Sequence, residues 1–370
     1  MKRPWKRTLG KVLLYGLASL VLIIAFFLFV FPSPIDPVSW KPQPIPEAKG
    51  VYEQNQLLRD AELLAGGKLF HPEDIAFDSE GHLYTGTQDG TIHRIRLNAN
   101  GKAESVEPFA ETGGYPLGLQ FDRAGNLISA VKDVGVVSVD RDGKVTLLTD
   151  RVGDSPIHYA DELDIAKDGT IYFSDASTKF DYGWPFDTLE GTPNGRLISY
   201  NPATKETRVL AEGFYFANGV VLSPEEDYLL INETSRYQIT RYWLKGEKAN
   251  TTDVFAENLP VLPDNLSVDD EGHYWTGGNL RTPLLDSLQQ NAFIKRQFAK
   301  LPFSFLRGIP ARENNRYGYV IQLSPNGEVI RTYHDPGGEK VHSISSVERR
   351  GDDLFIGTVF GEAIANYKLQ

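Results

Sequence analysis

The chain of 370 residues has an ordinary globular composition, with 41% hydrophobic residues, 24% charged residues and a net charge of −11. This apolar content excludes bulk disorder, and the absence of cysteine excludes disulfides, thiolate metal sites and a cysteine nucleophile. Every charged residue before Asp36 is basic, so the rest of the chain is strongly acidic. An acidic body repels phosphates, and we therefore expect no nucleic-acid partner.

The first predicted element is a basic tail and transmembrane anchor over residues 1–31. Residues 12–31 form an uncharged run of 20 residues, which as a helix spans the roughly 30 Å hydrocarbon core of a bilayer. Five basic residues precede the run, and the positive-inside rule then places the N-terminus in the cytoplasm. A cleaved signal peptide is the alternative, but its apolar region is usually about 7–15 residues long and ends at small residues. This run ends in Phe-Leu-Phe-Val-Phe.

We therefore expect a single-pass membrane protein that contacts the membrane through its N-terminal helix. The body of the chain then lies in the periplasm of a bacterium, or in the lumen or outside a eukaryotic cell. The absence of cysteine beside a basic-flanked anchor favours a bacterial inner membrane. Residues 32–50 contain six prolines, which predicts a stiff, extended linker.

The predicted fold class is all-β, with residues 51–370 forming a six-bladed β-propeller. An apolar residue, a polar turn and a β-rich run recur six times, at intervals of 44 to 79 residues. The six turns begin at Phe77, Phe121, Ile165, Leu222, Val268 and Val347. A repeat of about 40–50 residues with several short strands is typical of a propeller, in which each blade is a four-stranded sheet.

The longest interval contains an insertion at residues 280–316. Its apolar residues fall at helix-like intervals beside Lys295, Arg296 and Lys300. Two interpretations stay open for this helical insertion. It is an amphipathic lid or membrane-contacting helix, or it is a helix packed against a face of the propeller. A shorter loop, at residues 177–194, lengthens the third interval.

Oxygen-bearing side chains precede the predicted inner strand in four of the six repeats, at residues 73–74, 161–162, 218 and 264–265. The inner strands of a propeller surround one central channel, so these side chains come to one level. Asp, Asn and Gly are also common turn formers, and Asn-Gly alone indicates a hairpin. The repetition in register nevertheless favours ligands, and hard oxygen ligands suit calcium. The predicted Ca²⁺ ligands are Glu73, Asp161, Asn218, Asp264 and Asn265.

The sequence contains no nucleophile elbow, P-loop, dinucleotide fingerprint or zinc-protease motif. The candidates for a catalytic base are polar residues near the predicted ligands. Asp264 is the first candidate, because a ligand carboxylate can hold both a metal and the attacking water. Asp161, Glu162 and His158 are further candidates, and a surface or structural role is the alternative for His158. Lys132 is interpreted as an exposed turn residue.

The sequence resembles the strictosidine synthase-like family, and within it the adipocyte plasma membrane-associated branch, over nearly the whole chain. The resemblance rests on PEDIAF, YTGTQDGTI, IYFSDASTKF, FANGVVLSP and LPDNLSVDDEGHYW, which occur in the same order. It implies one membrane anchor followed by a six-bladed propeller. The wider superfamily includes paraoxonases and gluconolactonases, which implies calcium-dependent hydrolysis of lactones and esters.

The resemblance also assigns individual positions. The superfamily's metal motifs fall on Glu73, Asn218, Asp264 and Asn265, while Asp161 stands where paraoxonases have an asparagine. The paraoxonase-type histidine falls on Leu117, so that proposed base is missing. The glutamate of strictosidine synthases falls near Ile344, and alkaloid condensation is therefore not expected.

Two functions remain possible after these differences from the paraoxonase and strictosidine synthase patterns. One is a membrane-anchored, calcium-dependent hydrolase of a small ester or lactone, in which the metal polarises the carbonyl and a carboxylate activates water. The other is a non-catalytic propeller that binds a partner or organises the envelope, with calcium tying the blades together.

Overall fold

Six four-stranded antiparallel sheets form the body of the protein and confirm the predicted six-bladed propeller. The computed structural model describes residues 5–98, 100–181, 183–308 and 316–369. Residues 1–4 of the predicted tail and residues 309–315 of the predicted insertion lie outside the described residues.

The strands follow one another in chain order, four to a blade. After the single strand β1 (Glu62–Leu64), the first blade comprises β2 (Ile75–Phe77), β3 (Leu83–Gly86), β4 (Thr91–Leu97) and β5 (Ala103–Glu111). The second comprises β6 (Tyr115–Phe121), β7 (Leu127–Lys132), β8 (Gly135–Val139) and β9 (Val145–Thr149), and a small ribbon of β10 (Arg151–Val152) and β11 (Ser155–Pro156) follows. The third comprises β12 (Ala160–Ile165), β13 (Ile171–Asp175), β14 (Gly195–Asn201) and β15 (Glu206–Phe214).

The remaining blades repeat this order. The fourth comprises β16 (Ala217–Leu222), β17 (Tyr228–Glu233), β18 (Gln238–Trp243) and β19 (Thr252–Ala256). The fifth comprises β20 (Val261–Val268), β21 (Tyr274–Leu280), β22 (Gly318–Leu323) and β23 (Val329–Asp335). The sixth contains β24 (Ile344–Arg350), β25 (Asp353–Thr358) and β26 (Ile364–Lys368).

The N-terminal strand β1 completes the sixth blade. It pairs antiparallel with β26, so that Glu62 lies opposite Asn366 and Leu64 lies opposite Ile364. The inner strands β2, β6, β12, β16, β20 and β24 contact one another in a closed circle. Pairing a strand from before the first blade with the last strand of the chain in one sheet closes the ring of blades.

Apolar side chains from neighbouring blades form the core. Phe173 and Ile198 of the third blade, for example, pack with Ile128 and Ala130 of the second. Because each blade is covered on both faces, a middle strand such as β7 is buried almost throughout. This burial explains why residues 127–131 are mostly apolar and do not alternate with exposed polar residues.

In the part of the chain that the structure describes, five α-helices and three short 3₁₀ turns accompany the propeller. The helices are α1 (Trp5–Phe29), α2 (Trp184–Glu190), α3 (Pro283–Gln289), α4 (Ala292–Phe298) and α5 (Phe303–Arg307), and the turns are Gly50–Tyr52, Leu57–Asp60 and Thr234–Arg236. In α1, Leu9–Phe29 forms a stretch of 21 residues with a mean hydropathy of 2.8, which is long and apolar enough to cross a membrane. This helix is compatible with the predicted single-pass anchor. The side chains of Thr282 and Asn291 cap α3 and α4 by accepting from backbone N–H groups.

The proline-rich segment lies against the short helices. The Val38 amide donates to the Glu190 carbonyl over 2.8 Å, and the Trp40 amide donates to the Gln289 carbonyl over 3.0 Å. The buried ammonium of Lys295 donates to the Val38 carbonyl over 2.6 Å. Ile35 is part of the same apolar cluster as Phe186 of α2 and Leu306 of α5. Residues 35–40 of the segment between the anchor and the propeller are therefore held by α2 to α5.

Candidate functional site

Five of the six inner strands carry a β-bulge at the level of the predicted ligands. The regular pairing is interrupted at residue 117 in β6, 161–162 in β12, 218–219 in β16, 264–265 in β20 and 345–346 in β24. A bulge bends its strand and re-aims its side chains, and bulges are common beside active sites. In the first blade, Glu73 and Asp74 directly precede β2. Asn218 and Gly219 thus lie inside a strand, and not in a hairpin turn.

Two glycines allow the inner strands to approach closely at this level. A Cβ on Gly118 would lie 2.7 Å from Oε1 of Glu162, and a Cβ on Gly219 would lie 2.7 Å from the Asp264 carbonyl oxygen. Neither position can carry a side chain without moving the neighbouring blade. Because the two glycines have no side chains, the inner strands lie close enough for the polar groups of adjacent blades to surround one channel.

Hydrogen bonds join the predicted ligands across the blades. Nδ2 of Asn218 donates to Oδ1 of Asp264 over 2.7 Å, and Nδ2 of Asn265 donates to Oε2 of Glu73 over 3.2 Å. The structure therefore brings together residues that are far apart in the sequence.

The sixth blade contributes a pair that sequence reasoning missed. The hydroxyls of Ser345 and Ser346 donate to the Glu73 carbonyl oxygen over 2.6 and 2.8 Å. The two serines directly precede the apolar residue Val347, as Asp264 and Asn265 directly precede Leu266. The position that predicted the ligands in the other blades, just before this apolar residue, could therefore also have predicted the two serines.

The cluster faces a cavity of about 430 Å³. The predicted ligands that line it are Glu73, Asp161, Asn218 and Asp264. Asn265 is buried behind Glu73, and His158 is half-buried and is absent from the described lining. Leu117, at the position of the missing paraoxonase-type histidine, also lines the cavity.

Aromatic side chains form much of the remaining wall, namely Tyr115, Tyr159, Trp184, Phe216, Phe303 and Phe360. Sequence reasoning missed these residues, because several of them lie in loops outside the repeat. The interpretation of Lys132 as an exposed turn residue is wrong. Its side chain is 16% exposed, lines the cavity and lies 5.2 Å from the centre of the Tyr159 ring.

Burial and mutual repulsion dominate the electrostatics of the cluster. Burial, followed by repulsion from Asp264, raises the pKa of both Glu73 and Asp161 well above the ordinary values. Burial raises the pKa of Asp264 to about 7, against the lowering effect of the hydrogen bond from Asn218.

A second set of carboxyls lies deeper in the same channel. Burial raises the pKa of Asp74 to about 7 and that of Glu348 to about 8. Glu348 was not singled out from the sequence, because the sixth turn was predicted to begin at Val347, whereas Glu348 lies within β24. Several carboxyls therefore share a region in which a positive charge would be stabilising.

Two buried amide oxygens give an independent test of whether the cluster fits a cation. Oδ1 of Asn218 and Oδ1 of Asn265 are buried and have no hydrogen-bond partner among the described residues. A buried polar atom without a partner costs about 1–3 kcal/mol. Within the described residues, no group of three acidic or histidine side chains is arranged to hold a metal by itself, so the amide oxygens would have to contribute. Carboxylate and amide oxygens together are the donors that calcium prefers, and the residues present fit that ion.

Comparisons with known proteins agree with this architecture. The strictosidine synthase family profile matches residues 161–247, and the N-terminal profile of strictosidine synthase-like proteins matches residues 50–95. Strictosidine synthase-like protein 4 of Arabidopsis thaliana is 33% identical over 318 residues, covering 85% of this chain and 84% of the relative. The adipocyte plasma membrane-associated protein of Homo sapiens is 32% identical over 375 residues, covering 95% and 88%.

Solved structures share the fold at lower identity. A gluconolactonase from Xanthomonas campestris has a TM-score of 0.61 and 19% identity, covering 92% of this chain and 99% of that protein. The calcium-binding protein regucalcin from Agrobacterium tumefaciens has a TM-score of 0.54 and 14% identity, covering 81% and 90%. At these identities the likeness shows a common propeller.

Proposed function

The chain belongs to the strictosidine synthase-like family, and from that premise we propose that it is a membrane-anchored, calcium-dependent hydrolase of esters or lactones. One observation carries the proposal, namely that oxygen donors from four blades meet in the wall of an aromatic cavity. The cavity volume of about 430 Å³ lies within the range of small-molecule sites. The structural neighbours that are described as a gluconolactonase and a calcium-binding protein support the same class.

The residues of the cluster would divide the work between holding the ion and moving a proton. Glu73, Asp161, Asn218 and Asp264 would supply the calcium ligands, and Asn265 would add its free amide oxygen while steadying Glu73 through its N–H group. When bound, calcium polarises the substrate carbonyl and stabilises the negative charge that develops on its oxygen.

Asp264 is the proposed general base. Asn218 donates to its Oδ1, and its Oδ2 has no described hydrogen bond, so the second oxygen is available for a proton from the attacking water. Asp161 lines the same cavity and is the second candidate; burial raises its pKa, and the nearby positive charge of Lys132 opposes that rise. His158 would act only through a rearrangement, because it does not contact the described cavity.

The proposed anchor fixes the hydrolase to a membrane. The basic residues before the apolar run support a cytoplasmic N-terminus and a propeller on the opposite side, and we propose the periplasmic side of a bacterial inner membrane. The name of the mammalian relatives, adipocyte plasma membrane-associated protein, is consistent with a membrane location.

A non-catalytic scaffold is the second candidate. Leu117 favours it, since an apolar side chain stands where a base is expected from the resemblance. The position of Asp264 and Asp161 in the wall of a cavity favours the hydrolase, because a purely structural ion needs no access for a substrate.

The test uses the full-length chain in detergent with a panel of aryl esters and lactones, assayed with calcium and with a chelator. We expect turnover that disappears with the chelator and returns with calcium. Asp264→Asn and Asn218→Ala should abolish it, while Asp142→Asn, a matched change at an exposed turn, should leave it unchanged.

Thermal unfolding separates the two candidates. At a calcium concentration of 100 times the dissociation constant, binding adds about 2.7 kcal/mol of stability. Over roughly 300 ordered residues this raises the melting temperature by about 4 °C. Calcium stabilisation without turnover would favour the scaffold. No calcium stabilisation and no turnover would overturn the assigned site.

A further inference from the structure

The C-terminal end of α1 is held by α4 and by the residues that follow it. The ammonium of Lys300 donates to the carbonyl oxygens of Phe27 and Leu28 over 2.6 and 3.2 Å, which places a positive charge at the negative end of the helix. The ring of Phe29 contacts the ring of Phe293 in α4, with 6.0 Å between their centres. Thus α4 lies at the level where the apolar run of α1 ends.

The short helices α3, α4 and α5 expose large apolar side chains, among them Phe293, which contacts the end of α1. Four of them form what we call the apolar edge, and their exposed fractions are 67% for Leu284, 48% for Phe293, 42% for Ile294 and 42% for Phe305. Other apolar residues of this region are buried: Ala299 and Leu306 belong to one apolar cluster with Phe186 of α2, and Leu288 of α3 is also buried. Grouped exposed apolar side chains mark a surface that binds something apolar.

Basic groups accompany the apolar edge. Arg296, which is half exposed, pairs with Asp36 over 2.6 Å just beyond the end of α1, and Lys300 caps that helix. Helices that combine exposed phenylalanine and leucine with lysine and arginine are typical of the boundary between lipid headgroups and acyl chains.

We propose that the apolar edge of α3, α4 and α5 is a second membrane contact, embedded in the interface of the same bilayer that α1 crosses. Lipid is the expected occupant because the exposed surface of α1 continues directly onto Phe293. The surface of a bilayer that surrounds α1 therefore lies beside α4. The inference rests on the proposed anchoring by α1 and is independent of the proposed catalysis.

The contact would orient the cavity as well as the chain. Phe303 and Arg307 line the cavity from α5, and Phe305 of the same helix belongs to the apolar edge. The short helix α5 thus belongs both to the cavity wall and to the membrane contact. The cavity would therefore lie at the bilayer surface. Esters or lactones that partition into the membrane would reach it without crossing the solvent.

The absence of cysteine provides a clean test, because one introduced thiol is a unique label. The full-length chain carrying Ile294→Cys or Phe305→Cys is labelled with a fluorophore and reconstituted in nanodiscs with brominated lipids, which quench only probes that contact acyl chains. Leu22→Cys in α1 is the positive control. Leu147→Cys on β9, 51% exposed, is the matched control for an exposed apolar residue outside the apolar edge.

We expect the labels at positions 294 and 305 to be quenched at least threefold more than the label at 147. Quenching at 22 with no excess at 294 or 305 over 147 would overturn the proposal, including the case in which a second protein copy covers the apolar edge. Absence of quenching at 22 would remove its premise, the anchoring by α1. Neither result would bear on calcium-dependent turnover, which is measured separately.

Discussion

Replacing Gly219 by alanine tests the close approach of two inner strands on which the proposed site depends. A Cβ at this position would lie 2.5 Å from the Leu266 amide nitrogen and 2.7 Å from the Asp264 carbonyl oxygen, whereas ordinary contacts are 3.4–4 Å. Both atoms belong to the backbone of β20, so they cannot rotate away as a flexible side chain would. Gly219→Ala therefore forces β16 and β20 apart by several tenths of an ångström.

The expected cost follows from this overlap. Overpacking a well-packed interior typically destabilises by about 1–3 kcal/mol. An unfolding entropy of about 2.1 cal/mol/K per residue over roughly 300 residues gives about 0.6 kcal/mol/K, so the melting temperature should fall by about 2–5 °C. The same separation would stretch the 2.7 Å hydrogen bond between Asn218 and Asp264, and the stabilisation by calcium should fall with it.

Circular dichroism melts of the full-length chain in detergent, with calcium and with a chelator, measure both effects. Gly66→Ala is the matched control, because its Cβ would meet no atom within 4 Å and its backbone is not left-handed. The control should melt within about 1 °C of the wild type, as is usual for a neutral surface change. If Gly219→Ala melts with the control and keeps the full calcium shift, the strands are not packed as closely as we argue.

Two further predictions concern buried charges outside the cluster. Arg196→Met should lower the free energy of unfolding by about 3–5 kcal/mol, because it leaves Asp175 buried without the guanidinium 2.8 Å away. Chemical denaturation measures this loss, adding Asp175→Asn should recover part of it, and an unchanged midpoint would contradict it. Burial raises the pKa of Asp187 to about 6, so the folded protein binds this proton more tightly and the wild type loses stability as the pH rises from about 4 to about 6. Asp187→Asn should lack that part of the loss, and parallel urea-unfolding curves for the two proteins between pH 4 and pH 7 would count against the raised pKa.

The propeller could be predicted well from the sequence, because each blade is indicated by a short pattern of neighbouring residues. Each blade repeats a polar turn that directly follows its inner strand, and a strand rises by a fixed length per residue. The residues just before each turn therefore reach the same level of the channel. This is why a linear register could identify Glu73, Asp161, Asn218 and Asp264, which the structure places around one cavity.

Other features depend on contacts that have no period in the sequence. The strand β1 has three residues and is defined by its pairing with β26 at the far end of the chain. Trp184 and Phe303 reach the cavity from insertions of unequal length, whose folding depends on one another and on the segment around Ile35. Lys132 is the last residue of β7 and borders what reads as a turn in the sequence, and the approach of Tyr159 from the next blade helps to cover it.

The arrangement of the donors itself favours a catalytic use of the proposed ion. An ion that only ties blades together is best served by donors that enclose it. Here Glu73 is held from behind by Asn265, Ser345 and Ser346, while Asp161 and Asp264 line the cavity wall. Support on one side and access on the other is what a site needs if a substrate oxygen and a water are to reach preorganised ligands. Under the proposed function, the aromatic wall and α5, which contributes Phe303 to it, would select the substrate.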